Sequence, residues 1–302
     1  MRLAHYVKDG QMKVGMVLEG LVYDLAKVTR THGHLNLSDL SGVDEVLSRG
    51  LLNSLLGREE EMARATQGVT LESVRLSSPI LSPEKIFCVA ENYRAHAREA
   101  GGQPAEKPYL FTKFRNTIIG PGDPILIPKI SRKADWEAEL AVVIGRGGKH
   151  IPREQAMDYV AGYTISNDVS FRDLQFPSGW PERLSRLGQN WVEGKGLDNS
   201  FPLGPWLVTA DEIEDPNDLR VSLLVNGEKK QDSSTADMVF KVDSLIEHIS
   251  AGITLKSGDI ISTGTPPGVS VFTDQRFLQN GDTVEARIEG IGSLCNPVRS
   301  ED

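Results

Sequence analysis

Short, branched apolar runs bounded by Gly, Pro, Asn or Asp dominate the chain from about residue 85 onward. "KIFCVA", "YLFTK", "PILIP", "ELAVVIG", "YVAGYTISN", "WLVT", "RVSLLVNG", "DIISTG" and "TVEARIEG" each read as a strand. Branched and aromatic side chains fit a pleated surface, and the flanking residues turn the chain. Helical patterns interrupt them at "YRAHAREAG", at "PREQAMDY", with Pro152 at the favoured first helical position, and at "VDSLIEHISAG". The N-terminal part differs. "RLAHYVKDGQMKVGMVLEGLVYDL" alternates and turns at Asp9-Gly10, which predicts a hairpin and a short third strand. Segments 38–49 and 51–65 follow as helices, and the Ser- and Pro-rich "SSPILSPEK" reads as a linker. Residues 1–76 are therefore expected to form a small N-terminal α/β domain and residues 77–302 a larger one. Irregularly mixed strands with few helices place the fold in the α+β, mainly β class. No G-x-G-x-x-G follows a strand, which argues against dinucleotide binding.

Composition narrows the partners. A formal charge of -9 argues against nucleic acid and against an anionic membrane, since phosphate binding needs a basic face. The opening "MRLAHYVKDGQMK" has no apolar core of a signal segment, and no run approaches a membrane span. Cys88 and Cys295 both sit in apolar sequence and are expected in the core, which suits a reducing, cytoplasmic location.

One strand carries a chemical anomaly. In "SRKADWEAELAVVIG" the strand Leu140 to Ile144 is preceded by Glu137 and Glu139, which alternation places on one face. Such a pair is either a solvated strand edge or a site, because adjacent buried carboxylates need a cation or a shared proton. Asp168 ends the apolar strand of "YVAGYTISNDVSFRDLQ", where a site carboxylate would sit. Three hard oxygen donors suit Mg²⁺, Mn²⁺ or Ca²⁺, whereas zinc would want His or Cys.

The ordered series "NYRAHAREAG", "DWEAELAVVIG", "MDYVAGYTISNDVSFRDLQ", "GKGLDNSFPLGPWLVT", "VNGEKKQDSSTADMVF" and "GDIISTGTPPGV" resembles the fumarylacetoacetate hydrolase family from about residue 83 to 296. The resemblance implies a mixed β-roll catalytic domain, a homodimer, and a divalent metal, Mg²⁺ or Mn²⁺, on Glu137, Glu139 and Asp168. It implies a dyad of His96 and Glu99, which at i and i+3 share one helical face. It also implies Gln175 as an oxyanion donor, Lys195 near the metal, and Arg172, Thr265 and Lys113 as substrate contacts. Taken from "YRAHAREAG" alone, a His followed three residues later by Glu is usually an exposed helix-face pair.

The chain departs from the family pattern at Ala90, Glu91, Ala95 and Phe114. A longer stretch, "FPSGWPERLSRLG", adds Arg183 and Arg186, expected at the pocket mouth as substrate contacts. The activity implied is metal-dependent hydrolysis of the C–C bond in a 2,4-diketo acid of acylpyruvate type, in which His96 activates water. Decarboxylation or tautomerisation of a keto acid is the alternative, and an inactive keto-acid-binding protein a third.

Overall fold

A computed structural model describes residues 1–28, 40, 42–176 and 189–302. A 12-stranded sheet forms the spine, with Phe201–Thr209, Val160–Asn167, Ala138–Ile144, Ile260–Ser262, Ile86–Ala90 and Tyr109–Lys113 side by side in that order. A five-stranded sheet of Glu228–Ser234, Arg220–Val225, Thr283–Ile288, Gly292–Ser300 and Ile125–Ile127 packs against it. The mainly β, α+β class expected from the apolar runs is what forms.

The continuous run "LAVVI" is explained by a strand covered on both faces. Leu140, Val142 and Ile144 belong to the cluster shared with Leu223, Ala286 and the helix Val242–Gly252. Ala141 and Val143 join a second cluster with Leu3, Met16, Val46, Leu47 and Leu55. Packing therefore does not stop at residue 77, because the N-terminal elements cover one face of the large sheet. The strand Arg2–Lys8 even extends that sheet, with Leu3 opposite Leu207.

Several local expectations need correction. "PREQAMDY" forms a 3-10 helix, Arg153–Tyr159, and Pro152 precedes it instead of opening it. Within 51–65 the helix divides into Leu52–Leu55 and Glu59–Ala65 around Gly57, whose φ of 75° ends a helix readily. Glu228–Ser234 and Gly292–Ser300 form strands that the apolar pattern does not announce. The first is a polar edge strand and the second is held by ladders to Thr283–Ile288 and Ile125–Ile127, so neither carries a strong apolar signal. Alternation along that last strand turns Leu294 inward and leaves Cys295 exposed, whereas Cys88 is buried as expected. No helix among the described residues is long and apolar enough to cross a membrane.

His5 ties the N-terminal layer to the linker. Its buried ring donates from Nδ1 to the Ser78 carbonyl at 2.8 Å and accepts the Val43 N–H at Nε2, 2.9 Å away, so only the neutral ring satisfies both. Burial lowers the His5 pKa, against the opposing pull of the Ser78 carbonyl and Asp44. The folded chain thus holds this proton less tightly than the unfolded one. The stability His5 contributes is complete above its unfolded pKa of about 6.5 and is lost as pH falls below it. Urea midpoints of the wild type should drop as pH is lowered from 7.5 to 5.5, and the drop should shrink in His5→Ala. At pH 7.5 that variant should itself lose about 2–4 kcal/mol, because a buried N–H and a buried carbonyl go unpaired. An equal acid slope in both proteins would refute the assignment.

Candidate active site

Strand register assembles the acidic residues. Ala138 pairs with Asn167 across the antiparallel strands, and the Asp168 N–H donates to the Glu137 carbonyl at 2.9 Å. Asp168 is thereby set opposite Glu137, and Glu139 follows two residues on along the same face. All three are buried, and one carboxylate oxygen of each lies within 4.8 Å of the others.

Like charges this close are tolerated only with compensation. Lys195 Nζ bridges Glu137 Oε2 and Asp168 Oδ2, at 2.7 Å from each. Arg172 donates to Glu137 Oε1 at 2.6 Å, to Asp135 Oδ2 at 2.9 Å and to Gln175 Oε1 at 3.0 Å. Burial alone would raise the Glu137 pKa, but Lys195 and Arg172 outweigh it and hold it at about 2. Burial likewise opposes the charge on Lys195, and there Asp168 and Glu137 prevail and raise its pKa. Glu139 is different. It accepts from the Ser262 hydroxyl at 2.5 Å and the Gly264 N–H at 2.9 Å, and no ion pair among the described residues reaches it. Burial, Asp168 and Glu137 together drive its pKa well above the usual carboxylate range.

The donor set fits a divalent cation. It consists of oxygen alone, and Asp168 Oδ1 is buried without a hydrogen bond even though Lys113 Nζ stands 2.9 Å from it. A cation would fill that acceptor position and favour the charged form of Glu139, which burial and its acidic neighbours oppose.

The His–Glu pair stands on the helix Arg94–Glu99. His96 Nδ1 is 3.1 Å from Glu99 Oε2, and the ring packs 5.5 Å from Phe272. Glu99 in turn accepts the Gly268 N–H at 2.9 Å. Asn92 fixes the entry to this helix, donating to the Phe240 and Thr263 carbonyls and accepting the Phe240 N–H. Asp237 caps the helix start by accepting from Ala95 N at 2.9 Å. One loop therefore grips both halves, since Gly264 donates to Glu139 and Gly268 to Glu99. Both glycines have positive φ, 93° and 102°. A Cβ at Gly264 would stand 2.8 Å from the Val89 carbonyl oxygen, and one at Gly268 would overlap the Lys230 carbonyl.

Glu137, Glu139, His96, Lys195, Arg172, Gln175 and Thr265 all line one cavity of about 490 Å³. Their engagement differs from simple expectation. Arg172, expected to clamp substrate, lines the cavity and spends three of its N–H donors on Asp135, Glu137 and Gln175. Gln175 Nε2 already donates to Gln189 at 2.8 Å. Thr265 donates to the Ala138 carbonyl and accepts from Gln231. Lys113, expected as a substrate contact, is not at the cavity wall. It lies fully buried beneath Asp168 and donates to the Val169 carbonyl, and burial lowers its pKa. Arg183 and Arg186 lie outside the described residues. Asp173 accepts from Ser131 and Arg132 N, away from the cavity. Sequence reasoning missed Asp135, although Asp135, Glu137 and Glu139 alternate visibly. It also missed Gly264 and Gly268, whose stretch reads only as a turn.

Known proteins share this arrangement of sequence and fold. A family model described as fumarylacetoacetate (FAA) hydrolase, C-terminal, matches residues 85–299. The chain is 41% identical over 268 residues to a mitochondrial oxaloacetate tautomerase of Rattus norvegicus, covering 86% of this chain and 83% of that one. A 2-hydroxyhepta-2,4-diene-1,7-dioate isomerase from Mycobacterium marinum superposes with a TM-score of 0.73 at 33% identity, over 100% of this chain and 99% of that one. Maleylpyruvate hydrolase from Sphingobium sp. SYK-6, solved with manganese(II) and pyruvate, gives a TM-score of 0.79 at 28% identity and 100% coverage of both chains.

The raised pKa of Glu139 makes metal binding a competition with a proton. Calorimetric Mn²⁺ affinity should rise with pH by up to about tenfold per unit while that proton is being displaced. Glu139→Gln should bind Mn²⁺ more than ~100-fold more weakly while keeping its circular dichroism spectrum. Unchanged affinity in that variant would remove Glu139 from the ligand set.

Proposed function

The chain belongs to the fumarylacetoacetate hydrolase family, and from that premise we propose that it is a divalent-metal-dependent enzyme that interconverts the enol and keto forms of a 2-oxo acid. The observation that carries this reading is one cavity lined by Glu137, Glu139, Lys195 and His96, with Asp168 completing the acidic group and Glu99 holding the imidazole from behind. The tautomerase and isomerase names of the relatives support it. Glu137, Glu139 and Asp168 would hold Mg²⁺ or Mn²⁺. The cation would polarise a 2-oxo group and stabilise negative charge on its oxygen.

The chain's own residues supply the rest. Lys195, buried beside Glu137 and Asp168, places a fixed positive charge where the 2-oxo oxygen would gain electron density. Glu99 takes one ring nitrogen of His96 and leaves the other to the cavity, so the imidazole can move a proton to and from the carbon next to the 2-oxo group. The Arg172 bonds to Glu137 and Gln175 keep the wall from shifting as charge develops. Nothing is lost or gained by the substrate, since the proton that leaves carbon returns to oxygen or the reverse.

Hydrolysis of an acylpyruvate C–C bond is the second reading, favoured by the His96–Glu99 dyad, which could instead take a proton from water, and by the likeness to maleylpyruvate hydrolase. The same dyad and Lys195 count against an inactive binding protein.

The readings separate by product. With Mg²⁺, the enzyme should accelerate enol-to-keto conversion of oxaloacetate and deuterium exchange at its C3, followed by proton NMR, without releasing pyruvate from acylpyruvates. His96→Ala should slow the conversion ~10²–10⁴-fold with Mn²⁺ affinity preserved, and Glu99→Gln should lose less. Release of pyruvate without faster tautomerisation would favour the hydrolase, and the absence of both activities would sink both readings.

A further inference from the structure

The cavity has a second end of opposite character. Beyond the ionic corner its wall is Phe111, Trp191, Tyr109 and Phe176. The Phe111 and Trp191 rings stack, with centroids 4.5 Å apart and an interplanar angle of 19°, and Tyr109 lies 5.8 Å from Trp191. Phe111 and Trp191 are only partly buried, and Tyr109 is 55% exposed, so large apolar faces meet solvent at the mouth of a polar site. Exposed apolar surface grouped in this way marks a place where something apolar docks.

This platform starts next to the chemistry. Lys195 Nζ stands 5.0 Å from the Phe111 ring centroid. Trp191 and Lys195 are i and i+4 in the helix Trp191–Lys195, so one helical face presents both the ammonium and the indole. A molecule with its 2-oxo-carboxylate end at Lys195 has its far end over the aromatic pair.

Among the described residues, the aromatic wall carries no basic side chain of its own. Apart from His96, the basic side chains among the described lining residues are Arg172 and Lys195. Both are already paired with buried acids in the ionic corner. Size argues for an occupant longer than oxaloacetate. A cavity of about 490 Å³ falls within the ~300–1,000 Å³ range of sites that enclose drug-sized ligands, well beyond what a four-carbon diacid fills.

We infer that the preferred substrate is a 2-oxo acid bearing a flat apolar tail, aryl or conjugated, that stacks on Phe111 and Trp191. The assignment of the 2-oxo end rests on the proposed function; the tail rests on the aromatic wall. Trp191 is then a specificity-determining residue. Oxaloacetate uses the ionic corner alone and leaves the platform bare.

Binding of acids that cannot enolise tests the tail apart from turnover. Phenylglyoxylate and 2-oxomalonate are titrated calorimetrically into the Mn²⁺-loaded full chain. Phenylglyoxylate should bind at least tenfold more tightly. Trp191→Ala should reduce that preference ~3- to 10-fold, the size of an aromatic stacking contribution, and Trp191→Phe should restore most of it. In turnover, kcat/KM for the enol of phenylpyruvate should exceed that for the enol of oxaloacetate, and the ratio should fall in Trp191→Ala. A preference for 2-oxomalonate, or a ratio untouched in Trp191→Ala, overturns the inference and leaves the 2-oxo-acid reading standing. Binding of neither acid overturns both.

Discussion

Burial of several carboxylates in one corner of a sheet is the constraint from which the rest of the site follows. Each buried charge costs several kcal/mol in lost solvation unless a partner offsets it. Lys195 and Arg172 offset Glu137, and the same Lys195 serves Asp168. Lys113 is driven beneath Asp168 for the same reason, to a depth that a lysine does not occupy without an acid nearby. Glu139 is left over, with only a serine hydroxyl and a backbone N–H. An array balanced everywhere except at one carboxylate has a built-in demand for added positive charge. The fit of this corner to a divalent cation comes from that imbalance.

That demand was legible in part. Glu137, Glu139 and Asp168 stood out because charged residues interrupt apolar runs, and strand alternation and strand ends are local properties of a sequence. The His96–Glu99 pair came from the family resemblance, since an i, i+3 pair on a short helix looks like countless solvated ones. What could not be read was engagement. Arg172 and Lys113 were sensible substrate contacts as isolated cations, but the acids that pair with them, Asp135, Glu137 and Asp168, lie far away in the chain. Pairing between distant segments has no local signature.

The N-terminal segment shows the same limit at the scale of the fold. Its hairpin and helices were visible in the pattern, and the linker looked like a boundary. Nothing local reports that Leu3 will pair beside Leu207, or that Val46 and Leu47 will join one core cluster with Ala141 and Val143. A strand apolar on both faces was the one hint that a second layer had to exist, and that layer proved to be the N-terminal one.

The loop from Gly264 to Gly268 has a consequence for how such an enzyme can change over time. Its grip on Glu139 and Glu99 is made by main-chain N–H groups, which are present whatever side chains surround them, and only its own two glycines are irreplaceable. The mouth of the cavity is built from side chains on separate elements, Tyr109 and Phe111 on one strand and Trp191 on a helix. Mutation can therefore redraw the mouth one residue at a time while the reacting groups keep their spacing. Lineages sharing this chemistry are free to drift among substrates, and the reactive centre travels with them as a fixed inheritance.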